Sequence, residues 1–126
     1  NILQASMLAM KNAFDMLMIK FDDWVINNNL DPSVYCRENI LCIADGNKIP
    51  PVEANCKCEV KADARFECVM AASIIAKVAR DNIMLEYDKL YPQYNYKQHK
   101  GYPTEAHRKI CRELGPSPIQ RLSFSY

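Results

Sequence analysis

The chain has 126 residues, 49% of them hydrophobic and 25% charged, with a net charge of +1 at pH 7. That composition fits one small globular domain, and the charge excludes a polycation. No apolar run has the length of a membrane-spanning helix, and the first residues have no signal-peptide pattern.

The chain opens on Asn1, a residue that caps helices, and Gln4 sits where a capping box places its partner. Leu3, Met7, Met10, Phe14, Leu17 and Phe21 recur at alternating steps of four and three, which predicts a helix with one apolar seam. A start on Asn rather than Met, and on a cap, leads us to expect that upstream sequence has been removed. From Asp22 to Asn39 loop and short irregular structure are expected, because Asn27-Asn28-Asn29 and Asp31-Pro32-Ser33 are turn chemistry.

Ile40-Leu41-Cys42-Ile43-Ala44 predicts a strand buried on both faces. It runs into Asp45-Gly46-Asn47, and an acid just past the carboxyl end of a buried strand is a common place for chemistry in open α/β sheets. The same tripeptide is also good turn sequence, so Asp45 can equally be a turn starter. After Pro50-Pro51, Val52 to Val60 predicts a second strand, with Cys58-Glu59-Val60-Lys61 leading towards Asp63. Two strands that each lead into an aspartate bring Asp45 and Asp63 side by side. Close carboxylates repel unless a cation lies between them, and hard divalent ions such as Mg2+ take carboxylate oxygens. Two acids alone leave a two-metal site incomplete.

A long helix is predicted from Cys68 to Leu90. Ala72, Ile75, Ala76, Ala79 and Ile83 form a small apolar face suited to close packing, while Ser73, Lys77 and Asp81, with Arg80 beside them, form a polar stripe. The stripe is either a phosphate-handling surface or a solvated face with Lys77 snorkelling. Beyond it lies an aromatic loop, Tyr91 to Tyr96, and then His99-Lys100-Gly101-Tyr102-Pro103-Thr104. Here Lys100 can meet a phosphate, Gly101 permits close backbone approach, and Tyr102 can stack on a base or sugar. Packing for Tyr102 and a purely structural role for His99 remain the alternatives. Thr104 is placed to cap a helix from Glu105 to Leu114, stopped by Gly115-Pro116.

Charge is uneven. From Lys97 onward six Lys and Arg face two acids, a net of +4, and the first 96 residues carry 10 basic against 13 acidic residues. An acidic body with a basic tail suits a metal site beside a polyanion groove. The six cysteines lack C-x2-C spacing, so free, mostly buried thiols in a reducing cytosol are expected rather than disulfides or a zinc site.

Taken together these stretches resemble ribonuclease HII, the type 2 ribonuclease H family. The resemblance rests on Asn1-Ile2-Leu3-Gln4-Ala5-Ser6, Asp45-Gly46-Asn47, Lys61-Ala62-Asp63, the run Ala71 to Asp81, His99 to Thr104, and Gly115-Pro116-Ser117-Pro118-Ile119. These occur in family order and cover most of the chain outside residues 22–39.

The resemblance implies an α/β, ribonuclease H-like fold, here a partial domain over residues 1–126 with a mixed sheet flanked by helices. It implies a four-acid, two-ion site for Mg2+ or Mn2+, with Asp45 as third acid and Asp63 as fourth. It implies that Tyr102 stacks at an RNA–DNA junction, that Ser73, Lys77, Lys100 and Gly101 contact backbone phosphates, and, more weakly, that Ser123 does too. The implied substrate is the RNA strand of an RNA–DNA hybrid, or a single ribonucleotide in duplex DNA.

The chain departs from the family pattern in four places, of which Lys61-Ala62-Asp63 for the common K-G-D and an enlarged connection at 22–39 are the milder two. The D-E-A-G-R-G strand, which carries the first two acids and the loop that reads the 2′-hydroxyl, is absent from the 126 residues. The tail reads Gln120-Arg121-Leu122-Ser123-Phe124 where the family usually has H-R-R-S-F. A catalytically incomplete nucleic-acid-binding fragment is therefore the second hypothesis, and a cysteine-based metal or redox protein the third. The missing part of the same enzyme is the expected partner.

Overall fold

A computed structural model describes residues 1–123. The chain divides into two compact units, residues 1–72 and 73–126.

In the first unit, the Asn1 side chain caps helix α1 (Ile2–Asn27) by accepting the Leu3 N–H at 3.0 Å. The helix is a turn and a half longer than its sequence predicts, since 22–27 continue it. The cause is the phase of the buried seam. Phe14, Met18 and Val25 are buried, with Met7 and Lys11 half-buried before them and Phe21 half-buried between Met18 and Val25. That seam carries on past Phe21 to Val25, so the helix runs until Asn28 and the positive-φ Asn29 end it. Leu3, Met10 and Leu17, expected inside, are exposed. Asp31 then makes the expected turn, accepting both the Ser33 amide and hydroxyl.

Strand β1 (Leu41–Asp45) pairs in parallel with β2 (Asn55–Glu59), in a register that sets Cys42 against Cys56 and Asp45 against Glu59. The sheet among the described residues has these two strands only, both parallel, where the resemblance implies a mixed sheet. With one neighbour, β1 is not buried on both faces as expected. Ala44 alone is buried, Cys42 and Ile43 are half-buried, and Leu41 is exposed. The thiols follow suit: Cys111 is buried, Cys68 is exposed, and the other four lie between, all without disulfides.

Helix α2 (Glu67–Leu90) begins in the first unit and continues into the second. Among the described residues nothing covers its predicted close-packing face: every residue from Ala71 to Arg80 is exposed, as is Ile83. Alanine-rich spacing permits close approach but does not by itself supply a neighbour.

The second unit's core is aromatic. Met84, Tyr94 and Tyr96 are buried together, with Tyr87, Tyr91, Ile110 and Ile119 packed around them. Burying a side chain of the size of Met84 stabilises by about 1.5–3 kcal/mol. Helix α3 (Tyr96–His99) is a single turn between two left-handed residues, Asn95 and Lys100. Helix α4 (Glu105–Leu114) starts and stops as its sequence predicts: the Thr104 hydroxyl accepts the His107 N–H at 3.2 Å, and Gly115 leaves the helix at φ +79°.

Candidate functional site

Two sets of candidate residues were expected, an acidic pair and a nucleic-acid surface. The acidic pair lies in the first unit. Asp45 is the last residue of β1 and is exposed. Its Oδ1 accepts the Ala62 N–H at 3.0 Å, and Ala62 is the fully buried first residue of the 3-10 turn Ala62–Ala64 that carries Asp63. Asp63 therefore does not follow directly on a strand. The chain leaves β2 at Glu59, reverses through the left-handed Lys61 (φ 57°), and only then presents the half-buried Asp63.

Glu59, the register partner of Asp45, is already committed. It pairs with Arg65, and Lys57 lies 3.9 Å from its other oxygen. Among the described residues, no group of three or more His, Cys, Asp or Glu is placed to hold a metal ion. The donor chemistry of Asp45 and Asp63 fits a hard divalent cation, and their number does not complete its shell. The cysteines fit a metal less well. Burial pushes the Cys56 thiol up to about 11, helped by Cys42 beside it, so it stays protonated at neutral pH and is a poor thiolate ligand.

The nucleic-acid candidates lie in the second unit. Ser73 and Lys77 are exposed on α2. Lys77 Nζ donates to Asp81 Oδ2 at 2.9 Å, and this bond above all holds the Asp81 carboxyl below its usual range. Lys100, at φ 51°, folds its ammonium back onto the Lys97 carbonyl at 2.6 Å. Gly101 follows at φ +76°, where a Cβ would meet the Met84 Cε at 3.2 Å, so both the backbone and the space favour glycine. Tyr102 is 51% exposed, with the Arg80 guanidinium 4.7 Å from its ring centroid. Ser123 is exposed, and Phe124 of the tail motif lies outside the described residues.

Three further residues shape this loop: Arg80, read from sequence as part of the polar stripe, lies against the Tyr102 ring; Gln120, read as a departure in the tail, faces His107; and His107 itself was not singled out from sequence. His107 occupies the third position of a capped helix, which is no signal by itself. A cavity of about 250 Å3 lies beside them, lined by Arg80, Met84, Gly101, His107, Gln120 and Arg121, among others.

His99 is structural, as its alternative reading held. It is 5% exposed, and both ring nitrogens bond backbone groups. Burial, more than any other cause, lowers its pKa from the ordinary 6.5. The unfolded chain then takes up a proton on this ring before the folded one does. The contribution to stability is complete above pH 6.5 and is lost as pH falls through the lowered folded value. A denaturant series from about pH 7.5 to about pH 5 should show the midpoint dropping as the unfolded histidine titrates, more steeply than in His99→Asn. Equal slopes in the two proteins would refute it.

Comparison with known proteins adds a whole-chain likeness. The sequence model described as ribonuclease HII matches residues 1–126. Curated relatives named ribonuclease HII include one from Treponema denticola, 45% identical over 98% of this chain and 61% of its own length. Another, from Francisella philomiragia, is 40% identical over 98% of this chain and 57% of its own length. A third, from Natranaerobius thermophilus, is 40% identical over 98% and 54%. The chain thus spans somewhat more than half the length of the curated relatives it matches.

Proposed function

The chain belongs to the ribonuclease HII family, and from that premise we propose that it is the part of a ribonuclease H-like endonuclease that carries two metal-binding acids and much of the nucleic-acid surface. The substrate is the RNA strand of an RNA–DNA hybrid, or a ribonucleotide embedded in duplex DNA. The products carry 3′-hydroxyl and 5′-phosphate ends. Asp45 and Asp63 hold Mg2+ or Mn2+, which when bound supplies Lewis-acid activation of water and stabilisation of the leaving oxygen. Ser73, Lys77, Lys100, Gly101 and Ser123 take backbone phosphates, and Tyr102 stacks on a base or sugar.

The observation that carries the catalytic assignment is the bond from the Ala62 amide to the Asp45 carboxylate. It ties the end of β1 to the turn bearing Asp63, so the two acidic positions belong to one end of the sheet. The lysines support the phosphate assignment in a different way. Lys77 and Lys100 rest on the half-buried Asp81 and on a backbone carbonyl, and the Lys77 side chain is itself 62% exposed, open to a phosphate. The exposed apolar residues Ile74, Ile75 and Val78 on α2 support a completing segment, which we assign to the remainder of the same enzyme.

One observation favours a second reading, a catalytically incomplete nucleic-acid-binding fragment: no third ligand joins the two acids among the described residues. Both readings are tested together. Isothermal titration should show Mn2+ binding that Asp45→Asn weakens, with no tighter Zn2+ site dependent on the cysteines. In a hybrid-cleavage assay the 126-residue chain alone should be inactive, and the N-terminal segment of a relative such as the Treponema denticola enzyme, fused or added in trans, should restore Mn2+-dependent cleavage. Robust cleavage by the lone chain that Asp45→Asn abolishes would overturn the four-acid scheme. Binding without cleavage, even after complementation, would establish the fragment reading.

A further inference from the structure

Two stacked imidazoles hold the backbone of the Lys100–Gly101–Tyr102 loop. The rings of His99 and His107 lie 4.0 Å apart at 12°. They are 5% and 1% exposed, so their ring nitrogens depend on protein partners.

Those partners decide where each ring proton sits. The Gly101 N–H donates to His99 Nδ1 at 3.1 Å. An amide N–H only donates, so Nδ1 is bare and the proton is on Nε2, which donates to the Tyr94 carbonyl at 2.8 Å. His107 is the reverse. Its Nδ1 lies 3.0 Å from the Tyr102 carbonyl, which only accepts, so Nδ1 carries the proton. Its Nε2 is then an acceptor, and the Gln120 amide nitrogen sits 3.3 Å away.

The orientation of Gln120 is itself determined. The Ser117 N–H, which only donates, meets Gln120 Oε1 at 2.6 Å, so the amide NH2 must face His107 and the Cys111 sulfur, 2.8 Å from it. Ser117 is anchored in turn by the buried Tyr96 hydroxyl at 2.5 Å. A line of forced donor and acceptor roles therefore runs from the Ser117 amide through Gln120 and His107 to the Tyr102 carbonyl.

We propose that Gln120 is a positioning residue for the substrate loop: it holds His107 as the Nδ1–H tautomer, and the stacked His99–His107 pair then fixes the Gly101 N–H and the Tyr102 carbonyl from both sides. This rests on the reading of Lys100, Gly101 and Tyr102 as nucleic-acid contacts. The loop needs such a hold, because Lys100 and Gly101 are consecutive positive-φ residues, a backbone path that few sequences keep unaided. Glutamine suits the place. One amide accepts from Ser117 while donating to both His107 and Cys111, three bonds where an imidazole at this position makes two.

The test uses the whole chain and its Gln120→Glu, Gln120→His and Tyr102→Ala variants. Nitrogen-15 spectra of the histidine rings read the tautomers, amide exchange reads the Gly101 N–H, and fluorescence anisotropy reads affinity for a hybrid duplex. In the unaltered chain His99 should carry its proton on Nε2 and His107 on Nδ1. A Glu at position 120 still accepts from Ser117 but turns an acceptor towards His107 Nε2; the neutral ring then moves its proton from Nδ1 to Nε2, and the Tyr102 carbonyl loses its donor. Gly101 exchange should quicken and duplex affinity should fall by about tenfold, the scale of one lost hydrogen bond, with the melting temperature nearly unchanged. Gln120→His should recover most of the affinity, which a merely structural role would not require. The opposite tautomers in the unaltered chain, or Gly101 exchange indifferent to Gln120→Glu, would overturn the proposal. If exchange quickens while neither Gln120→Glu nor Tyr102→Ala alters duplex affinity, Gln120 still positions the loop, and it is the substrate role of the loop that fails.

Discussion

Asp45→Asn should lower metal-dependent cleavage by the complemented enzyme on the order of 10²–10³-fold, the scale lost when one group that stabilises developing charge is removed, and Asp63→Asn should do the same. The substitution is chosen for what it spares. An asparagine at position 45 keeps an Oδ1 that can accept the Ala62 N–H, the 3.0 Å bond that ties β1 to the 62–64 turn. It loses only the negative charge, so the fold should survive while cation binding does not. Asp45→Ala removes that bond as well and should lower the melting temperature in addition. Single-turnover cleavage of a labelled hybrid, run beside thermal melts of each variant, separates the two effects. Should Asp45→Asn cleave normally while Asp45→Ala merely melts earlier, Asp45 would be a turn starter and nothing more.

Tyr102→Ala should weaken duplex binding by about 1–3 kcal/mol, the worth of one base or sugar stacked on an aromatic ring, and should leave the fold almost intact. The backbone of the loop does not depend on the ring. The Tyr102 N–H donates to the His99 carbonyl at 2.8 Å, and its own carbonyl is held by His107. The ring is half exposed, and its described partner is the Arg80 guanidinium on one face. Losing an exposed cation–π contact costs about 0.5–1 kcal/mol, less than the expected loss in binding. Anisotropy titrations and melts of Tyr102→Ala and Tyr102→Phe make the comparison. If the melting temperature collapsed while affinity held, packing would be the role of this ring.

Local signals in the sequence located most of the elements, and for identifiable reasons. Asn1 and Thr104 cap the helices they precede because a short polar side chain can satisfy an orphan N–H only at that place. Gly115 stops α4, and Asp31 makes its turn, through bonds to residues next to them in the chain. Sequence spacing put Asp63 a few residues beyond the second strand, but the parallel pairing of that strand with β1, the left-handed Lys61 and the 3-10 turn that carries Asp63 depend on contacts between segments. The same limit governed burial. An apolar pattern shows that a face can be covered, so the seam of α1 was legible to within a turn of phase, but the small-residue face of α2 remains exposed in the described chain.

By itself the sequence determined the order of the three long helices and the extents of α2 and α4, the two acids, the loop motif at 99–104 and the likeness to ribonuclease HII, because these reside in local chemistry and in residue identity. Only the tertiary structure decided which nitrogens of His99 and His107 carry protons, that Gln120 faces His107, and that the Asp45 carboxylate meets the Ala62 amide. Hydrogen-bond roles are settled by partners brought together in space, and Gln120 and His107 are thirteen residues apart in the chain.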